Sequence, residues 1–246
     1  MEKEVDKSKI LYSIFYSDPQ IKFEVDDDVL TLANFLGNHP QILREIYKNY
    51  RKLELKYEFK PKIGAPIFVN FDYGEFRSVT FKRQNIVLTL SEADFLIFMG
   101  KIDAVYTDIL PVGSVVELDE EMLPLVIQEQ LKVSGIAELM VISGRKIPLQ
   151  KPFDSYIVDY YAYLWPIGQM VTTPPIFISN MMIKKVVHMG FQHPLDEKFS
   201  LDVLKATQLA AGQISTAFMP ADEGIAFYEK YANISISEIL DEEGDD

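Results

Sequence analysis

Residues 66–90 have the sequence PIFVNFDYGEFRSVTFKRQNIVLTL, and this stretch decides the fold class of the first half of the chain. It is rich in aromatic and β-branched side chains, which favour pleated, half-buried surfaces. Turn-forming residues interrupt it at 72–75 and 82–85. We therefore predict three short strands here. The preceding segment, 53–59, alternates Leu, Leu, Tyr and Phe with charged neighbours, which predicts a further half-solvated strand.

Helices are predicted on both sides of these strands. Asp26–Asp28 can cap a helix that ends at Gly37-Asn38, and a second helix is expected to follow Pro40. Ser91 opens a capping sequence for a third helix, over 93–105. Residues 10–24 are interpreted as two strands joined by a turn at Asp18-Pro19.

A domain boundary is predicted at 104–110, because the charge balance changes there and a new set of strands begins. We expect an α+β fold of two lobes, 1–109 and 110–246, each a mixed or mainly antiparallel sheet with packed helices. In the second lobe we predict a turn entering a strand over 110–118, strands or strand-like segments over 137–149, 155–166 and 174–180, and a short helical turn running into a last strand over 180–191. Helices are predicted over 119–135, 200–218 and 221–232, followed by an acidic tail. The buried side of the helix over 200–218 is expected to comprise Leu201, Leu204, Ala211, Ile214 and Phe218.

The charge of the chain is strongly negative and is concentrated in its second half. The net charge of −13 divides into 15 basic and 17 acidic residues up to Asp108 (−2), and 9 basic and 20 acidic residues from Ile109 onward (−11). Phosphates and anionic lipids would be repelled, so we expect neither nucleic-acid binding nor membrane insertion. A basic protein partner would be attracted. Solubility alone is an equally good explanation of the charge.

The composition also excludes several kinds of site. The chain has no cysteine, which excludes disulfides, thiolate metal sites and a cysteine nucleophile. It contains no glycine-rich phosphate loop and no G-x-S-x-G motif. His188 and His193 are five residues apart, which is not the spacing of a helical zinc pair. We therefore predict no catalytic residue, no metal and no cofactor. An enzyme whose carboxylates converge only in three dimensions stays an alternative.

The start of the chain is charged and has no apolar stretch typical of a signal peptide. No apolar run approaches the roughly 20 residues that a membrane span requires. The sequence therefore predicts a cytoplasmic location.

Four motifs follow one another in the second half. They are LPVGSVV at 110–116, LMVISGR at 139–145, DYYAYLWPIG at 159–168, and a segment with Phe177, Asn180, Ile183, Val187 and Gly190-Phe191. Their order resembles a small family of domains of unknown function, over 110–199. Members of that family are encoded beside LXG toxins in type VII secretion loci of Gram-positive bacteria. The segment 119–135 departs from the compact family pattern and is interpreted as an inserted helix.

The resemblance implies a non-enzymatic protein that binds an LXG toxin and possibly small helical targeting proteins. Two roles follow from it: an accessory or chaperone that helps to stabilise or export the toxin, and an immunity protein that neutralises it. We predict partner-binding residues in the inserted helix and the C-terminal segment, namely Met122, Leu125, Val126, Leu131, Ile225, Tyr228, Ile236 and Ile239. Ordinary packing within the chain is the alternative for each of them.

Overall fold

The computed structural model describes residues 6–123, 128, 138–169 and 175–231. The chain divides into two compact units, of which the first comprises 1–108 with 209–214 and the second comprises 109–208 with 215–246. The fold class is α+β with antiparallel sheets, and this confirms the predicted class.

The first unit combines helices with a single sheet. Its described helices are α1 (Lys7–Ser17), α2 (Asp27–Gly37), α3 (Pro40–Arg51) and α4 (Glu92–Tyr106). Its strands, in the spatial order β1-β2-β3-β4, are β1 (Lys56–Phe59), β2 (Ile67–Asp72), β3 (Ser78–Arg83) and β4 (Ile86–Ser91). The predicted strands β2, β3 and β4 and the predicted helices α2, α3 and α4 are confirmed.

Local capping explains where the predicted helices begin. The Asp26 carboxylate accepts a hydrogen bond from the Val29 N–H at 2.8 Å, and the Ser91 hydroxyl accepts one from the Asp94 N–H at 3.2 Å. Each bond satisfies a donor that the first helical turn leaves without an intrahelical partner. Helix α4 is buried on nearly every side, and its buried residues include Lys101 and Asp103.

Lys101 is a buried cation on α4. Its Nζ donates to Asp18 Oδ2 at 2.5 Å and to the Gly212 carbonyl at 2.7 Å. Burial lowers the pKa of the Lys101 ammonium, and the hydrogen bond to Asp18 opposes that effect. The bond to Gly212 attaches residues 209–214 to the rest of the first unit.

The prediction of two strands over residues 10–24 is wrong. Residues 7–17 form α1, which Asp6 caps by accepting a hydrogen bond from the Lys9 N–H. Leu11 and Phe15 are the buried residues of this helix, and their spacing of four is helical. The aromatic-rich composition suggested a strand, but the period of its buried residues is that of a helix.

The strand predicted over 53–59 is shorter than expected. Strand β1 covers only Lys56–Phe59. Leu53 has a φ of 55° and, like Leu55, is exposed. The alternating pattern therefore continues beyond the part of the segment that pairs with β2.

The second unit is built on a six-stranded sheet. Its strands are β5 (Val115–Leu118), β6 (Leu139–Pro148), β7 (Tyr156–Leu164), β8 (Ile176–Ile178), β9 (Ile183–His188) and β10 (Ile214–Ser215). Their order is β10-β7-β6-β5-β9, and β8 also pairs with β7. The described helices are α5 (Pro194–Phe199), a π-helical segment (Ser200–Lys205), α6 (Ala206–Ala210) and α7 (Ala221–Tyr231).

Among the described residues, two apolar clusters belong to the core of the second unit. The first lies on the sheet and includes Val116, Met140, Tyr160 and Ile178. The second joins Phe153 and Val158 to Met219 and Phe227 from the C-terminal segment. This packing places the buried side of α7 against β7 and the loop before it.

The helix predicted over 200–218 has different boundaries. The helical stretch begins at Pro194, where His193 caps it, and ends at Ala210. Gly212 then adopts a φ of 64°, which turns the chain away from the helix. Of the predicted buried side, Leu201 and Ala211 are exposed and Leu204 is half-buried, while Ile214 and Phe218 are buried but lie outside the helix.

The helix predicted over 119–135 does not begin as an α-helix. Residues Glu120–Met122 form a 3-10 turn that Asp119 caps, and Leu123 has extended backbone angles. The residue before a proline disfavours helical backbone angles, and Leu123 precedes Pro124. Apart from Gln128, the rest of the predicted helix lies outside the described residues.

Candidate partner-binding surface

The first motif forms a turn that depends on Gly113 and Ser114. Gly113 has a φ of 83°, which glycine adopts without steric cost. Its N–H donates to the Ile142 carbonyl at 2.8 Å. The buried Ser114 hydroxyl donates to the Pro111 carbonyl at 2.8 Å and accepts from the Gly190 N–H at 3.0 Å. The first and last motifs therefore meet at this turn.

Gly190 permits that close approach. A Cβ at this position would lie 2.3 Å from the Val112 carbonyl oxygen and 2.8 Å from the Ser114 nitrogen. Both atoms belong to the backbone, so no side-chain movement could relieve the overlap. The motif requires glycine here because two backbone segments are in contact.

Arg145, the last residue of the second motif, positions the helix that follows β9. Its guanidinium bonds both carboxylate oxygens of Asp196, at 2.7 and 3.2 Å, and the Ser200 hydroxyl at 3.0 Å. Bidentate pairing of this kind fixes orientation as well as distance. One face of the helix is thereby held against the sheet.

Asp159, the first residue of the third motif, is the centre of a buried polar cluster. Its Oδ1 accepts from Lys146 Nζ at 2.7 Å. Its Oδ2 accepts from the Asn180 N–H at 3.0 Å and from the Ser215 hydroxyl at 2.6 Å. The side chains of Asp159 and Lys146 and the whole of Ser215 are almost completely inaccessible. These bonds join four chain segments and leave no access for a substrate.

Exposed apolar side chains are concentrated just after the buried motif positions. We call residues 186–203 the β9–α5 surface. Its large apolar members that are exposed are Val186, Val187, Met189, Phe191, Leu195, Phe199, Leu201 and Val203. Within the described part of the chain, β9 is an edge strand of the sheet and pairs with β5 alone. Exposed apolar residues that are grouped in the chain in this way are candidates for an interaction site.

The helical part of this surface combines exposed apolar residues with a few buried polar residues. Leu195, Phe199 and Val203 are spaced by four, so they follow one side of the helix. Asp196 and Ser200 point to Arg145. In a π-helix the backbone bonds run from residue i to i+5, and Lys205, five residues after Ser200, is buried as well. The apolar stripe therefore faces solvent, while Ser200 and Lys205 are buried.

Strand β9 begins with two lysines that share one carboxylate. Lys184 Nζ and Lys185 Nζ each lie 2.8 Å from a different oxygen of Glu117 on β5. The hydrogen bonds from these two lysines hold the pKa of Glu117 at about 2, well below its ordinary value. This arrangement partly offsets the positive charge at one end of the β9–α5 surface.

The predicted partner-binding residues have different positions in the structure. Met122 is half-buried in the 3-10 turn. Ile225 and Tyr228 are exposed on α7, whose Phe227 is buried in the core. The remaining five lie outside the described residues; they are Leu125, Val126, Leu131, Ile236 and Ile239.

Sequence reasoning missed the β9–α5 surface. The spacing of Leu195, Phe199 and Val203 does indicate an apolar helix face, but such a face is ordinarily buried. The helix is held by Arg145, which lies 51 positions from Asp196 in the chain. A long-range ion pair of this kind leaves no local signal.

Neither a metal site nor a membrane-spanning helix is found in the described ranges. Within them, no group of three or more His, Asp or Glu side chains is arranged to hold a metal ion. No helix in the same ranges has the length and apolar character needed to cross a bilayer.

Comparison with known proteins gives one family match. No curated protein and no solved structure matches the chain. The family model matches a segment that covers less than half of the chain. This segment includes the four motifs and β5 to β9. The match confirms the resemblance of this segment to a family of unknown function. Residues 109–199 match the family model described as Domain of unknown function (DUF4176).

Proposed function

We propose that the chain is a non-enzymatic accessory or chaperone for an LXG toxin of a type VII secretion system. In this role it binds the toxin, stabilises it and helps to target it for export. The toxin link rests on the motif resemblance described above. The observation that supports a binding role is the exposed apolar β9–α5 surface, which lies mainly within the family-matched segment.

The shape of this surface suits a helical partner. Leu195, Phe199 and Val203 offer a stripe of the kind that packs against another amphipathic helix. The helix is already fixed by Arg145, so binding would not require it to be ordered first. Such preorganisation favours affinity because less conformational entropy is lost. The LXG toxin and small helical targeting proteins are the partners that we propose.

An immunity role is the second candidate. The charge of −11 from Ile109 onward favours association with a basic toxin domain through electrostatic steering. In that role the chain would occlude the toxin domain in the producing cell. The apolar stripe supports the accessory role more directly than it supports occlusion of a basic surface.

A pull-down of the tagged chain from a strain that carries the neighbouring genes tests the proposal. We expect an LXG protein to be recovered with the wild-type chain. The variant Leu195→Ser/Phe199→Ser should reduce recovery at least about tenfold, because interface centres depend on a few buried apolar anchors. Leu55→Ser is a matched control, since Leu55 is 70% exposed and Leu195 is 71% exposed.

The proposal would be overturned if the wild-type chain recovered no LXG protein. It would also be overturned if Leu55→Ser reduced recovery of the LXG protein as much as Leu195→Ser/Phe199→Ser does. Gene deletion in a toxin-producing strain separates the two roles. Loss of toxin export with cell survival identifies an accessory, whereas self-intoxication identifies an immunity protein.

A further inference from the structure

A cleft of about 210 Å³ lies beside the outer edge of β4 in the first unit. One wall is the segment before and into α2, with Phe23, Glu24, Asp26, Asp28 and Val29. The other wall is Ile86 to Thr89 of β4. Successive side chains of a strand point to opposite faces of the sheet. A cleft that contacts four successive residues therefore lies against the backbone edge of the strand.

The register shows which backbone groups point into this edge. Arg83 pairs with Ile86 across a two-residue turn, and the Glu92 N–H donates to the Arg77 carbonyl at 3.1 Å. Hydrogen-bonded pairs alternate with non-hydrogen-bonded pairs in an antiparallel ladder. The even-numbered residues of β4 thus bond to β3, and the N–H and C=O groups of Val87 and Thr89 point outward.

In the part of the chain that the structure describes, no strand pairs with this edge of β4. A free edge can accept a further strand through main-chain hydrogen bonds. The exposed Val87 side chain adds an apolar contact at the same place. The edge therefore offers the backbone groups that an added strand requires, and an open cleft lies beside them.

The negative charge of the cleft favours a basic strand. Its lining includes three carboxylates, those of Glu24, Asp26 and Asp28, and no basic side chain. Asp26 uses Oδ1 to cap α2, and its second oxygen does not take part in that bond. Phe23 and Val29 supply an apolar wall next to these acids. Lysine and arginine combine an apolar stem with a cationic end, so they match this lining.

We propose that the outer edge of β4 binds an extended, basic segment of a partner protein as a fifth strand of the first sheet. Alternate Lys or Arg side chains of that segment contact Glu24, Asp26 and Asp28, while its backbone pairs with Val87 and Thr89. This inference does not depend on the proposed toxin role, because it concerns residues outside the family-matched segment.

The probe is the peptide TKVKVKT-amide with fluorescein on its N-terminal amine, and its binding to the full chain is measured by fluorescence anisotropy. The charge-reversed peptide TEVEVET-amide, labelled in the same way, is the control ligand. We expect the basic peptide to bind and the acidic peptide not to bind. Bound peptide should slow the exchange of the Val87 and Thr89 amide hydrogens, because they become hydrogen-bonded.

Two variant pairs test the backbone and the charge separately. Val87→Pro removes an outward N–H but no bond to β3, and it should weaken binding at least about tenfold, while Val87→Thr keeps the N–H and should change it less than about twofold. Glu24→Gln/Asp28→Asn should weaken binding by about tenfold or more at low salt, whereas Glu75→Gln outside the cleft should have little effect. Thermal unfolding of each variant checks that it is folded.

Three outcomes would overturn the proposal. The first is no binding of the basic peptide by the folded wild-type chain. The second is equal binding to the folded Val87→Pro variant, which would show a general attraction of charges. The third is a dimer in light scattering that Val87→Pro abolishes, because the edge would then be occupied by a second copy of the chain.

Discussion

The carboxylate of Asp159 is buried and accepts hydrogen bonds from Lys146, the Asn180 N–H and Ser215. Substitution by asparagine would leave the buried Lys146 ammonium without a countercharge. We expect Asp159→Asn to lower the free energy of unfolding by about 3–5 kcal/mol, as for other broken buried ion pairs. Urea unfolding measures the change. Asp202→Asn, at an exposed carboxylate, should change it by less than about 0.5 kcal/mol.

Gly190 gives a second prediction at the scale of one residue. Gly190→Ala would place a Cβ 2.3 Å from the Val112 carbonyl oxygen. The expected loss of stability is about 1–3 kcal/mol, because the backbone must shift. Gly224→Ala is the control, since a Cβ there meets no atom within 4 Å, and in helix α7 alanine should stabilise by about 0.5–1 kcal/mol. Equal melting temperatures for both variants would contradict this account.

Single residues show where sequence reasoning works and where it fails. The turn at Gly113 could be predicted because glycine and proline leave a local signal. The contact of Gly190 with Val112, and the bond of Asp159 to Ser215, join residues far apart in the chain. Their partners are chosen by the packing of the sheet, so neither could be predicted from local pattern.

At the scale of the element, the position of the helix after β9 depends on the Arg145 guanidinium. Arg145→Lys keeps the charge but loses the fork that binds both oxygens of Asp196 and the Ser200 hydroxyl. We expect a stability loss of about 1–3 kcal/mol and faster amide exchange over 194–205. Arg77→Lys is the control, because that exposed arginine makes one bond to Glu92. An unchanged exchange pattern in Arg145→Lys would refute the positioning role.

The pairing of β9 with β5 should depend on pH through Glu117. Its pKa of about 2 in the folded chain lies below the ordinary value of 4.5. The stabilising contribution of its carboxylate is therefore fully present above pH 4.5 and is lost as the pH falls through about 2. A carboxyl carbon NMR titration should show a midpoint near 2. In Lys184→Met/Lys185→Met the midpoint should rise, and a midpoint that stays unchanged would refute the assignment.

The elements that were predicted correctly have local signals. Strands β2 to β4 are separated by turn residues, and α2 and α4 start at capping side chains. Helix α1 was missed because the aromatic-rich segment of 15 residues at 10–24 fits the period of a strand as well as that of a helix. The helix over 194–210 was misplaced because its buried side includes Ser200, Lys205 and Gln208, so its apolar residues indicate the wrong face.

At the scale of the whole molecule, the family-matched segment lacks part of its own core. The second apolar cluster needs Met219 and Phe227, and Asp159 needs Ser215. All three residues follow the matched range of 109–199. A fragment of residues 109–199 should therefore unfold at lower urea concentration than the full chain, or bind a dye for exposed apolar surface. A fragment with native-like stability would contradict this dependence.

Residues 209–214 belong to the first unit although about a hundred residues separate them from its main part. This arrangement has a consequence for synthesis on the ribosome. The first unit lacks the acceptor for Lys101 at Gly212 until the chain has been translated beyond the second sheet. At about 5–20 residues per second, the delay is roughly 5–20 s. During that interval the nascent chain exposes an incomplete surface, and a ribosome-associated chaperone would have time to bind it.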